Sequence, residues 1–253
     1  TTFYFAFKSM NYYPAIYAAW LKVFKSGEKE KGDIDRIAER YRQGDSMWVE
    51  IKGEKINGKI KNRKGEYKYM TAEAWDEVFF PLKKQKVNLN SQRNFEKRKG
   101  ESAAVRHRTE VKQMMFNPGN PVNGVPLIGK KMGIFEEEMQ KYYNFSVYPG
   151  FYKDTIKCLI FEAEVKPDFP PRKTVLKNLV TYFDEDTFEV MKRNYTIRYF
   201  SLPIDFDISI EIENQRYKNV LLPERIYYKG FFDIPFMKKE SIEFELKDFN
   251  YLF

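Results

Sequence analysis

The feature that most constrains this chain is a period of two that returns stretch after stretch in its last 110 residues. Leu159, Phe161, Ala163 and Val165 alternate with Glu162 and Glu164. Tyr195, Ile197 and Tyr199 alternate with Asn194, Thr196 and Arg198. Phe206, Ile208, Ile210 and Ile212 are interleaved with Asp205, Asp207, Ser209, Glu211 and Glu213. Ile242, Phe244 and Leu246 are interleaved with Ser241, Glu243, Glu245 and Lys247. Successive strand side chains point to opposite faces, so each stretch predicts a strand with one apolar and one charged face. Two further strands fit at 175–183 and 220–229, and the acidic run Asp184–Thr187 reads as a tight turn between two of them. Many such strands in succession predict an antiparallel meander with one face wet.

The first half reads differently. From Pro14 to Phe24 the spacing of Ile16, Trp20 and Phe24 fits one stripe of a helix, with Pro14 in its first turn. A second short helix fits 33–41, with Ile34 and Ile37 inward. Met47, Val49 and Ile51 alternate as a strand, Asn57-Gly58 and Lys64-Gly65 are turn signals, and Tyr67 and Tyr69 share a face of a further short strand. Residues 72–80 are compatible with helix or loop, and 131–141 with a short helix. Lys83 to Gly100 reads as a polar loop and 102–116 as a basic helix. Residues 117–126 hold three prolines and two glycines, an irregular boundary or a loop over an opening. The expected whole is α+β. It is one domain over 1–253 with a basic insertion around 83–131, an antiparallel curved sheet and the N-terminal helix in its concave face.

Charge and composition narrow the function. Residues 1–131 carry 27 Lys and Arg against 15 Asp and Glu, and 132–253 carry 17 against 21, so the net +8 conceals a basic half and a mildly acidic one. The densest basic stretch, 83–112, includes Lys97, Arg98, Lys99, Arg106 and Arg108, candidate contacts for phosphate headgroups of an anionic membrane surface. A solvated face is the plainer reading. Phe95 is its one aromatic besides His107, which argues against nucleic acid, whose bases would want stacking partners. A single His (His107) and a single Cys (Cys158) exclude a two-His metal site and an intrachain disulfide. His107, flanked by Arg106 and Arg108, has only Glu110 nearby as an orienting acid. Asp184, Glu185 and Asp186 lack a calcium-loop pattern, and Asp205 and Asp207 continue into the charged stripe of Glu211 and Glu213. No glycine pattern for a nucleotide is present. The expectation is a non-enzymatic protein with no cofactor and no metal.

The stretch from Val180 to Tyr195, an acidic turn with a Thr between two strands, resembles a hairpin of the Lol lipoprotein carriers. The stretch Leu222-Pro-Glu-Arg-Ile-Tyr-Tyr-Lys-Gly230 resembles a penultimate strand of secreted proteins of that type. A broader likeness is to exported proteins of Bacteroidetes-type bacteria. The resemblance implies an unclosed half-barrel, a periplasmic or outer-membrane-associated location, and an apolar ligand (a lipid or lipoprotein acyl chain) in the concavity. Candidate ligand contacts are Trp20, Phe24, Phe161, Phe183, Tyr195, Ile197, Tyr199, Phe206, Ile208 and Ile210. The alternative is a structural or interaction module with a filled core, binding a partner protein through edge strands or the 117–126 loop.

Overall fold

The computed structural model describes residues 10–25, 29–87, 117–122, 128–201, 204–233 and 238–253. Eleven strands form one antiparallel, unclosed sheet: β1 Ala15–Phe24, β2 Glu30–Gln43, β3 Ser46–Gly58, β4 Gln85–Lys86, β5 Tyr143–Tyr152, β6 Ile156–Val165, β7 Leu176–Asp184, β8 Val190–Ser201, β9 Ile204–Tyr217, β10 Val220–Asp233 and β11 Glu240–Tyr251. Their order is β4-β3-β2-β1-β11-β10-β9-β8-β7-β6-β5. Every step but one joins sequence neighbours, as a meander requires. The exception pairs β1 with β11, so the two halves of the chain meet in mid-sheet. Two helices are described: α1 Met70–Phe79 and the one-turn α2 Glu137–Gln140.

The sheet's two faces follow the alternation. Across β8, β9, β10 and β11 the register aligns Tyr195, Ile210, Tyr228 and Phe244 on the concave face. It aligns Asn194, Glu211, Tyr227 and Glu245 on the outer face. The concave row continues through Leu21 of β1 to Ile34 of β2. All six of these concave residues are buried, in one cluster that spans the sheet.

Two expected helices are strands. In β1 both faces carry apolar side chains: Ala15, Tyr17, Ala19, Leu21 and Val23 point inward and Ile16, Trp20 and Phe24 outward. Such a segment satisfies period two and period four alike, and pairing on both sides to β2 and β11 decides for the strand. The segment 33–41 lies in β2, where Ile34 is buried but Ile37 is 53% exposed on the other face. The helix on the concave face is therefore α1, not an N-terminal helix. Tyr67 and Tyr69 lie outside any strand; Tyr67 forms an isolated bridge with Lys61. Strand β5, which contains Pro149, has no counterpart in the expectation. As an edge strand β5 tolerates a proline, whose missing N–H costs no ladder bond on the open side. The expected 131–141 helix is a 3-10 turn at Lys130–Met132 followed by α2.

Candidate functional site: the concave face and its covers

Helix α1 sits on the β1–β3 and β10–β11 part of the concave face. Its apolar positions Ala72, Trp75 and Phe79 are spaced i, i+3, i+7 and are buried. Trp75 meets Phe80 edge-on at 4.6 Å, and Phe79 meets Phe244 of β11 at 5.8 Å. Pro81 ends the segment, since the residue before a proline is pushed out of helical conformation.

Polar contacts fix the helix at three points. At its start, the buried Glu240 carboxylate accepts from the Thr71 N–H at 3.1 Å and from the Thr71 hydroxyl. A carboxylate there meets orphan amides and the positive end of the helix dipole. Burial pushes Glu240 above the ordinary carboxylate range, and the Thr71 donors oppose that rise without cancelling it. In the middle, the Arg36 guanidinium donates to Asp76 of α1, to Glu54 of β3 and to the Tyr67 hydroxyl. Its centre lies 4.8 Å from the Trp75 ring and 4.7 Å from the Phe80 ring. Burial disfavours the charge on Arg36, but Asp76, Tyr67 and Glu54 more than compensate and raise its pKa. At the end of the helix, Tyr17 of β1 donates its hydroxyl to the Phe79 carbonyl at 2.7 Å. The Trp75 indole N–H is buried and has no acceptor among the described residues.

A second cover lies over β5–β8. Residues 128–139 contribute Ile128, Met132, Ile134 and Met139 to the same core. Phe135 packs on Phe145 at 6.2 Å and on Phe161 at 6.0 Å. Gly119 beneath it has φ +90°, and a Cβ there would lie 2.6 Å from the Phe135 ring, so neither feature tolerates a side chain. The described part of the proline-rich stretch, 117–122, is thus packed against the fold, with Val122 donating to the Gly129 carbonyl.

Eight of the ten candidate contacts converge on the concave face. Tyr195, Ile197, Tyr199, Phe206, Ile208 and Ile210 are buried there, and Phe161 and Phe183 are half-buried against the same core. Trp20 and Phe24 point the other way: Trp20 donates its indole N–H to Glu245 at 2.8 Å on the outer face. The stripe that suggested a helix put them on the wrong side. The basic residues Lys97, Arg98, Lys99, Arg106 and Arg108, and His107, lie outside the described residues. Arg36 and Arg193 are charges between apolar neighbours two away, and Arg40 and Glu240 have such a neighbour on one side only, so no local pattern marks the four as interior. Arg193 donates to Thr181 at 3.0 Å, and burial lowers its pKa to about 10.

Cys158 is buried in a small outer-face cluster with Tyr152, Met191 and Leu221, and burial followed by nearby Asp184 pushes its thiol up, away from the reactive thiolate. Asp184 accepts from the Thr187 amide and hydroxyl and from the Asp186 amide, as a turn-forming aspartate does. Asp207 pairs with Arg198, and Glu211 and Glu213 pair with Lys192 and Arg225. Among the described residues no group of three or more His, Cys, Asp or Glu is placed to hold a metal, and no helix is long and apolar enough to cross a membrane.

No family model matches the sequence, and no curated protein matches it. Two solved structures align over nearly the whole chain. One is a domain from Vibrio parahaemolyticus assigned to outer membrane lipoprotein sorting: 7% identity, TM-score 0.31, covering 96% of this chain and 88% of that one. The other is a LolA superfamily protein from Nitrosomonas europaea: 8% identity, TM-score 0.28, covering 100% and 94%.

Proposed function

We propose that this chain is a non-enzymatic binding protein of the cell envelope that takes a lipid or other apolar ligand onto its concave face, where α1 now lies. The observation that carries this reading is the way α1 is seated. The concave apolar surface spans a sheet about 50 Å wide at roughly 4.8 Å per strand, whereas a ten-residue helix is about 15 Å long. The helix covers one part of that surface. It is joined to the sheet by segments outside the ladder, and it is held by Arg36–Asp76, Glu240–Thr71 and Tyr17–Phe79. The seat also leaves the Trp75 donor without a partner among the described residues, and an unsatisfied buried donor costs about 1–3 kcal/mol. A helix so placed can give way to a ligand that covers the same aromatic and aliphatic side chains.

Trp75 is the natural reporter. In a Trp20→Phe, Trp48→Phe variant its emission is expected to shift saturably as the neutral apolar probe N-phenyl-1-naphthylamine is added. Absence of both probe uptake and Trp75 response would sink the proposal.

A second reading, a partner-binding module with a permanently filled core, is favoured by edge strand β5. Its Val147 is 64% exposed and Phe151 60% exposed, on a strand with one unpaired side. Under that reading the probe finds no site.

A further inference from the structure

The end of the sheet where β6, β7 and β8 meet the 166–175 connection holds a groove of about 1130 Å³, remote from α1. It is lined by Lys166, Arg172, Lys177 and Arg198 together with Phe169 and Phe200 and the prolines of that connection, with no carboxylate in its wall. Phe200 is 69% exposed. The groove's shape is held by its own backbone: Lys177 donates to the Pro171 carbonyl at 2.6 Å and the Thr174 carbonyl at 2.8 Å, and Thr174 is buried. Phe169 is pinned edge-on against Tyr142 at 4.9 Å. Lys131 reaches the Arg172 carbonyl from the second cover, at 2.8 Å.

Positive charge is in excess here. Of the four lining cations, only Arg198 has a carboxylate partner among the described residues, Asp207 at 3.2 Å. Lys166 and Lys177 donate to neutral oxygens, and the Arg172 side chain has no partner among the described residues. Consistent with this crowding, Lys177 is lowered to about 8 by burial first, then by the nearby Arg198 and Lys131 charges. Four cations beside the exposed Phe200 ring, the half-buried Phe169 and the prolines form a surface complementary to a molecule that is anionic at one end and apolar along the rest.

We propose that this groove binds a single-tailed anionic amphiphile, its phosphate or carboxylate head on Arg172, Lys166 and Arg198 and its chain along Phe169, Phe200 and the prolines. The site is separate from the concave face and does not rest on the function proposed for it. An arginine with free donors supplies the bidentate grip that a planar or tetrahedral oxyanion favours. Lys177, whose ammonium is already occupied by the loop, contributes field and shape.

Isothermal titration with dodecyl phosphate, below its micellar concentration, tests this. Binding at this groove, the part removed by the variants below, is expected to be one-to-one, at least ten-fold tighter than that of inorganic phosphate or of dodecyl maltoside, and weakening as salt rises. An Arg172→Glu, Arg198→Gln variant is expected to lose at least ten-fold. Phe200→Ser, a change at an exposed site that folding tolerates, is expected to lose several-fold for dodecyl phosphate and nothing for inorganic phosphate. Uptake of N-phenyl-1-naphthylamine by the concave face should be the same in all three proteins. The proposal is overturned if dodecyl phosphate does not saturate, if the neutral detergent or bare phosphate binds as tightly, or if the arginine variant binds unchanged. Loss of probe uptake with dodecyl phosphate binding intact would instead overturn only the concave-face function.

Discussion

The two covers of the concave face are built on different physics. Helix α1 combines a buried apolar stripe with charges: a guanidinium between two carboxylates, and a carboxylate on its first turn. The 128–139 cover reaches its half of the sheet through Ile128, Met132, Ile134, Phe135 and Met139. Packing is non-directional and fails gradually as area is lost. A hydrogen-bonded ion pair is directional, and removing one partner strands the others. The contrast suggests that α1 can leave as a unit, whereas the second cover melts with the sheet.

The comparison can be broken at three points. Arg36→Leu should have the largest effect, about 3–5 kcal/mol in urea denaturation, because Asp76 and Glu54 lose their shared cation. Trp75 emission should then move at lower urea than the far-ultraviolet signal of the sheet. Coincident transitions would show that α1 and the sheet are one cooperative unit. Ile134→Ala, at a fully buried position, should cost about 2–4 kcal/mol through the cavity it leaves, with the two probes still coincident. Separated probes in that variant would reverse the assignment of the mobile cover.

Glu240→Gln should have the smallest effect and is read against pH. Because the folded pKa of Glu240 is raised, folding favours its neutral form. That contribution is fully present below the unfolded value of 4.5 and is lost as pH rises through the folded value. Glutamine keeps an acceptor for Thr71 but cannot ionise, so the stability lost above pH 4.5 should be smaller in the variant. An unchanged pH profile would remove Glu240 from the account of how α1 is held.

Much of the sheet was legible in the residues themselves. Strands β6, β8, β9 and β11 announced their faces because aromatic and aliphatic side chains alternate with polar and charged ones there, and the Asp184–Thr187 turn was readable from its composition. Strand β1 was not, since apolar side chains (Ile16, Ala18 and Trp20) occupy its outer face as well as its inner one. The outer-face tryptophan makes sense only beside Glu245, a residue 225 positions away. The candidate site divides the same way. Tyr195, Ile197 and Phe206 could be placed from their spacing, but nothing local marks Arg36 or Glu240 as buried. Each is interior because the helix it holds arrives from elsewhere in the chain.

What the sequence by itself determined is therefore the antiparallel sheet, its apolar and charged faces, and the presence of a single His and a single Cys. Those follow from local periodicity and from which side chains exist at all. The tertiary structure alone decided which helix lies on the concave face, that β1 joins β11, and that four cations gather beside Phe169 and Phe200. Each of these depends on residues distant in sequence and adjacent in space, and a long-range pairing leaves no trace in the local pattern of either partner.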